Sequence, residues 1–347
     1  MRAYRNLSIA VLLSLAAFAP IVACVADEGG GVPLVDSGVA TDSGNVLLPD
    51  AGNGDDAAPT ADAGGDANKP ACNLTGDFGN VKPLPGLNAV LTMKFPAVLQ
   101  SLDATLTDDE ELMYFSACES TLNVDKTCDI YEAKLNQGTV TDIKKAANLS
   151  SADFYDRHPT LSADGKRLFM LRSTPSGGKI HVSSRADVFA AFPAPVVVDS
   201  VSPPSGTIDT DPFFARSDTL YFMRGMAAGI RTVHYATVGA SSISNPKQLS
   251  ANLNGLDPVM ADKDETLLFV AQIVAPENQR QIRVAERTGA TFGDLSQKYV
   301  AALNDNNKTS NFVNWISKDG CRMYFSRGEG QVVNYNILVA ERPKFVP

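Results

Sequence analysis

One pattern runs five times through the C-terminal part of this chain: a short strand, a polar turn carrying Asp or Gly, then an aromatic-rich strand. Internal repetition limits the fold more than any single motif, because a unit that cannot bury its apolar face alone must stack on its neighbours. Each copy leads from Asp103-Ala104-Thr105-Leu106 to Met113-Tyr114-Phe115, His158-Pro159-Thr160-Leu161 to Leu168-Phe169-Met170, Asp211-Pro212-Phe213-Phe214 to Leu220-Tyr221-Phe222, Asp257-Pro258-Val259-Met260 to Leu267-Leu268-Phe269, or Val313-Asn314-Trp315-Ile316 to Met323-Tyr324-Phe325. Equivalent positions lie 55, 53, 46 and 56 residues apart. That is too long for a hairpin and right for four strands with their turns. A third strand alternates apolar and polar side chains in every copy, as in Lys179-Ile180-His181-Val182-Ser183 and Asn336-Ile337-Leu338-Val339-Ala340. A more variable fourth strand follows, for example Pro195-Val196-Val197-Val198 or Lys247-Gln248-Leu249. No helical periodicity is expected. The pattern predicts an all-β fold: a five-bladed β-propeller of four-stranded antiparallel blades.

The fifth unit ends at Pro347, just after its third strand, so one strand is missing at that end. Phe78-Gly79-Asn80-Val81-Lys82-Pro83-Leu84 resembles the region that opens with Phe292-Gly293-Asp294. The N-terminal strand is therefore expected to complete the last blade and close the ring, removing an open sheet edge. Residues 72–347 form the propeller in this reading.

The segments before it have other compositions. Arg2 and Arg5 precede an apolar run from Leu7 to Ile21, too short and wrongly flanked for a permanent span. It ends at Ile21-Val22-Ala23-Cys24, which resembles the lipobox of bacterial lipoproteins. That resemblance implies a signal peptide at 1–23 and a Cys24 that is acylated and anchors the protein to a membrane. An ordinary signal peptide with an incidental cysteine is the bland alternative. Residue 25 is Val rather than the Asp that commonly retains such proteins at the inner membrane, so by analogy the outer membrane is the expected address. Residues 25–71 carry nine acids, one base and no aromatic residue. Such a stretch cannot bury enough apolar surface to offset its ordering entropy, so 24–71 is expected to be a disordered acidic linker. It holds −8 of the chain's −9, and with +2 before it only −3 remains for the propeller. No clustered positive charge marks a nucleic-acid footprint, so no nucleic-acid partner is expected.

The stretch Pro159-Thr160-Leu161-Ser162-Ala163-Asp164-Gly165-Lys166-Arg167-Leu168-Phe169 resembles the TolB-type, WD-like propeller repeat of Gram-negative bacteria, and the other four copies match it loosely. The resemblance covers nearly all of residues 78–342. It implies a propeller in the periplasm or on a surface, used for binding, and it leaves any activity open.

Beyond Cys24, four cysteines remain, an even number that in an exported chain points to disulfides. Of the three pairings, one suits a propeller. Cys118 and Cys128 flank a turn in the first blade, while Cys72 precedes the closing strand and Cys321 opens a strand of the blade it completes. The second bond would staple the ring, worth ~4–5 kcal/mol by loop entropy. Metal-bound or unbonded thiols are the alternative.

Chemistry is read mostly from absence. The chain has no Gly-x-Ser-x-Gly elbow, His-Glu-x-x-His or phosphate-binding Gly-rich loop, so no catalytic residue, metal or cofactor is expected. His181 and His234 sit inside third strands, where packing or surface roles are the ordinary ones. The candidate binding rim comprises Asp156, His158, Asp209, Asp211 and Asp257 near the start of first strands, as is Asp103, and Arg172, Arg224 and Arg327 at the ends of second strands. Repeated Asp–Arg pairing that satisfies turns is the structural alternative. A polar pocket at the channel mouth is the functional one. Two function classes follow: a non-catalytic module binding a protein or glycan of the envelope, or a glycan hydrolase with two channel carboxylates ~5–10 Å apart.

Overall fold

The computed structural model of the chain describes residues 72–344 apart from 120–127, 175–176, 202, 205, 227–229, 240–241, 251–252, 254–255, 275–278, 305–308 and 330–333. The expected signal peptide, Cys24 and the linker lie outside the described residues. The described part belongs to the unit Ala63–Pro347.

It opens with strand β1 (Gly79–Pro83) and helix α1 (Leu87–Lys94). The first blade is β2 (Gln100–Leu106), β3 (Leu112–Cys118), β4 (Cys128–Asn136) and β5 (Thr139–Lys145). The second is β6 (Tyr155–Leu161), β7 (Arg167–Thr174), β8 (Gly177–Ser184) and β9 (Val196–Val197). The third is β10 (Ile208–Phe214), β11 (Thr219–Gly225), β12 (Arg231–Thr237) and β13 (Lys247–Gln248). The fourth is β14 (Leu256–Ala261), β15 (Leu267–Val274), β16 (Gln279–Thr288) and β17 (Thr291–Phe292). The fifth joins β18 (Thr309–Ile316), β19 (Arg322–Glu329) and β20 (Asn334–Glu341) to β1.

Every blade is an antiparallel meander, and β1 completes the fifth by pairing Lys82 with Val339 and Pro83 with Leu338. The five inner strands touch in a closed cycle: β2 on β6, β6 on β10, β10 on β14, β14 on β18, and β18 on β2. The expected propeller and its closure by the N-terminal strand are both present. Cys72 and Cys321 form a disulfide across 249 residues, and Cys118 and Cys128 a second at the β3–β4 hairpin.

The second strands have both faces covered by neighbouring blades, so the repeat's apolar triplets need no polar side. Phe115, Met170, Phe222, Phe269 and Phe325, the third residue of each triplet, have no solvent exposure. Burying one such side chain is worth ~1.5–3 kcal/mol. Polar stitches run between blades as well. Tyr324 donates from its OH to Glu110 at 2.8 Å, and Tyr221 to Glu265 at 2.5 Å. A further repeat element emerges at the ends of third strands, where Arg185, Arg287 and Arg342 stack on Phe192, Phe292 and Phe78 at 4.2, 4.6 and 4.4 Å.

Helix α1 corrects the expectation of no helix. It has eight residues and buries Leu87 and Leu91 beside β5, too few turns to leave a periodic signature. Gly86 introduces it at φ 78°, and a Cβ there would run into the carbonyl oxygen of Val140. Among the described residues no helix is long and apolar enough to cross a membrane.

Candidate functional site

The inner strands do more than line the channel. Each carries a register break at one equivalent place: between Leu102 and Thr105, Arg157 and Thr160, Thr210 and Phe213, Leu256 and Val259, and Val313 and Trp315. Such a bulge re-aims the side chain at the break. In the first three blades that residue has left-handed φ: Asp103 at 57°, His158 at 52° and Asp211 at 52°. Non-glycine residues in this region store strain, which the surrounding contacts must offset. Sequence reading placed these three at strand starts, whereas they stand mid-strand, because the extra residue of a bulge is invisible to alternation counting. Asp257 is the fourth-blade equivalent, but its side chain lies outside the described residues.

The three bulge residues meet in the channel. His158 Nδ1 lies 3.2 Å from Asp103 Oδ1, and its Nε2 lies 2.7 Å from Asp211 Oδ1. Arg157 donates from Nε to the other oxygen of Asp103 at 2.9 Å, and from Nη1 to the Tyr155 hydroxyl at 2.5 Å. Arg231 brings Nη1 to 3.9 Å from Asp211 Oδ2 and 3.3 Å from Thr210 Oγ1. One imidazole thereby ties three consecutive blades together. Backbone bonds support it, with His158 N donating to Ser116 Oγ at 3.1 Å and Asp103 N to Ser326 Oγ at 3.2 Å.

Burial alone would depress the His158 pKa, but the two carboxylates outweigh it and raise the value to about 9. Burial likewise pushes the Asp103 carboxyl up, and Arg157 and His158 more than reverse this, holding it well below the usual carboxylate range. At neutral pH the cluster is therefore a fixed set of charges: both ring nitrogens of His158 donate, and Asp103 cannot hold a proton.

Above the cluster opens a funnel of about 250 Å³ at the channel mouth. Its wall includes Tyr155, Arg157, Arg231, Arg280, Phe312 and Tyr335. Arg280 stacks on Phe312 at 5.0 Å, and Phe312 meets Tyr335 edge to face at 5.0 Å. Sequence reading named only His158 and Asp211 of this wall. The missed residues are those that break the repeat: Arg157 and Phe312 stand where the first and fourth blades carry Leu102 and Leu256. Comparing copies for their exceptions would have found them.

The other rim residues form a second group, inside the blades. Arg172 grips Asp156 through Nε at 2.6 Å and donates from Nη2 to the Leu149 carbonyl at 3.0 Å. Arg224 does the same with Asp209 at 2.7 Å and the Val201 carbonyl at 2.5 Å. Arg327 repeats the motif with Asn311 at 2.8 Å and the Leu303 carbonyl at 2.7 Å. Each arginine thus clamps the incoming connector onto its own inner strand, the geometry of the structural alternative stated above. Asp156 and Asp209 are completely buried, and that burial raises their pKa values against the opposing pull of Arg172 and Arg224. His181 and His234 stand apart from the cluster, and burial lowers both their pKa values.

No protein-family model matches the chain, and no curated protein matches it either. Solved structures do. The α-L-arabinofuranosidase PaAbf62A of Podospora anserina, solved with cellotriose, is similar at 12% identity and TM-score 0.50, over 79% of this chain and 99% of that one. A GH62 α-L-arabinofuranosidase catalytic domain of Coprinopsis cinerea matches at 10% and 0.50, over 78% and 98%. TolB of Acinetobacter baumannii matches at 13% and 0.41, over 70% of this chain and only 55% of TolB, so this chain spans about half that length. The likeness is one of fold.

Proposed function

We propose that this chain is a cell-envelope lipoprotein, anchored through Cys24 to the outer membrane, whose propeller is a non-catalytic binding module taking a protein or glycan at the funnel. The observation that carries the binding reading is the channel cluster, where arginine and histidine hold the channel carboxylates as ion pairs beneath a funnel lined by Arg157, Arg231 and Arg280. Fixed charges of this kind orient and select a ligand. Asp103, kept ionised by Arg157 and His158, cannot be the proton donor that a general acid must be near neutral pH.

The second reading is a glycan hydrolase, favoured by the presence of Asp103 and Asp211 in the channel of a fold shared with arabinofuranosidases. One experiment separates the two. The exported protein and an Arg231→Met, Arg280→Met variant are compared for retention of envelope material and for hydrolysis of a glycan panel. The binding reading expects retention that falls in the variant, with no hydrolysis. Hydrolysis that disappears in Asp211→Asn would establish the enzyme instead.

A further inference from the structure

Tension between an N-terminal tether and a partner held by the propeller enters the fold at Cys72, where the backbone from residues 1–71 reaches the described domain. The segment after Cys72 is badly placed to resist it. Residues 72–84 run antiparallel to residues 337–344: Cys72 bridges Lys344, and Asn73 N donates to the Pro343 carbonyl at 2.9 Å. β1 then pairs Gly79 with Glu341 and Pro83 with Leu338, and Leu84 N donates to the Ile337 carbonyl at 3.1 Å. The ladder is interrupted between Gly79 and Lys82. A pull at Cys72 meets these bonds end first and one at a time, and each is worth only ~0.5–1.5 kcal/mol net. Next in the chain come α1 and then β2, the inner strand of the first blade. Opening this seam bares the edge of β20 and leads straight into the ring.

The disulfide gives the pull another route. Cys321 stands in the turn between β18 and β19. Its N–H donates to Asp319 Oδ1 at 3.0 Å, and its carbonyl accepts from Arg342 N at 2.8 Å. β19 is paired on both sides, with β18 and with β20, and its Met323, Tyr324 and Phe325 are buried. Arg322 and Tyr324 also reach Glu110 in the first blade. A pull arriving at this turn acts on many bonds at once. Cys72 meanwhile cannot leave Cys321, so β1 stays seated.

We infer that the Cys72–Cys321 bond is a mechanical strap: it passes tension from the N-terminal segment into the central strands of the fifth blade and shields β1, the strand that closes the ring, from being peeled away. The inference goes beyond the binding reading and takes from it only the source of the tension, a tether at the N-terminus.

The test is single-molecule extension of the full mature chain, with one handle at residue 24 and the other on a short tag inserted after the exposed Met226. The wild type is expected to show no discrete lengthening step before the domain unfolds as a whole. The Cys72→Ser, Cys321→Ser protein is expected to lengthen first, at lower force, by up to about 95 Å as residues 72–99 are drawn out at roughly 3.4 Å each. Cys118→Ser, Cys128→Ser protein, which lacks the other disulfide, should pull like the wild type. Pulling that same protein before and after reduction, verified by thiol labelling, repeats the comparison without requiring a strap variant to fold. An early step in the wild type or in the unreduced Cys118→Ser, Cys128→Ser protein would overturn the strap. So would a strapless protein that unfolds in one event at lower force, which would leave the bond a general stabiliser. Because the handles supply the tension, these results are independent of Cys24 acylation, and membrane fractionation of Cys24→Ser tests the anchor by itself.

Discussion

Raising the pH from 7 to 9 is expected to weaken this fold by about 2 kcal/mol through one side chain, His158. Its side chain is 11% exposed and faces Asp103, Asp211 and Arg157, so solvent screens the cluster little. The folded-state pKa is about 9 against an ordinary 6.5. A raised pKa means that the folded state holds its proton more tightly. The resulting stability, about 3 kcal/mol in full, is present below pH 6.5 and is lost as pH rises through 9. At pH 7 about 2.6 kcal/mol of it remains, and at pH 9 about 0.4. Neighbouring titrations fall elsewhere. His181 and His234, with lowered values, act below about pH 6.5. Tyr114 and Tyr221, raised chiefly by burial, act above about pH 10. Urea unfolding midpoints at pH 7, 8 and 9 measure the loss, with His158→Asn as the comparison. Asparagine accepts the left-handed backbone at this position, so the variant removes the charge without adding strain. The wild type should lose stability steeply while the variant stays nearly flat over the same interval. Parallel curves for the two proteins would refute the idea that this imidazole ties the blades as a cation.

Three further outcomes are expected. Breaking the Cys72–Cys321 bond should cost up to about 5 kcal/mol and breaking Cys118–Cys128 about 2–3, following their separations of 249 and 10 residues. Cys72→Ser, Cys321→Ser and their double mutant should unfold at nearly one denaturant midpoint, and additive losses would contradict a shared bond. Arg224→Ala should destabilise by about 3 kcal/mol or more because it strands the buried Asp209 carboxylate; a loss by chemical denaturation no larger than the ~1 kcal/mol of an exposed ion pair would remove the charge argument. Cys24→Ser should release the protein from the membrane fraction or leave it unprocessed, and a wild type recovered entirely as soluble protein would end the anchor proposal.

Repetition made most of this fold legible in the sequence. Periods of 46 to 56 residues and the aromatic triplets are local patterns, and stacking identical units admits few architectures. The missing strand at one end and the spare one at the other followed from counting. The cysteine pairing then followed from the ring. None of this required knowing where any side chain points. The site did. Asp103, His158 and Asp211 lie in three blades, 55 and 53 residues apart, and only the stacking of consecutive blades around the channel makes them neighbours. Their convergence depends on a bulge in each inner strand, a one-residue slip that leaves the polar–apolar pattern almost unchanged. The same slip separates His158 and Asp211, which face the channel, from Asp156 and Asp209, which turn into the blades toward Arg172 and Arg224. In the sequence these residues look alike, being polar and two positions apart. Tertiary structure divides them because burial and partner, which set the charge state and accessibility of each group, are properties of the space around it rather than of its place in the repeat.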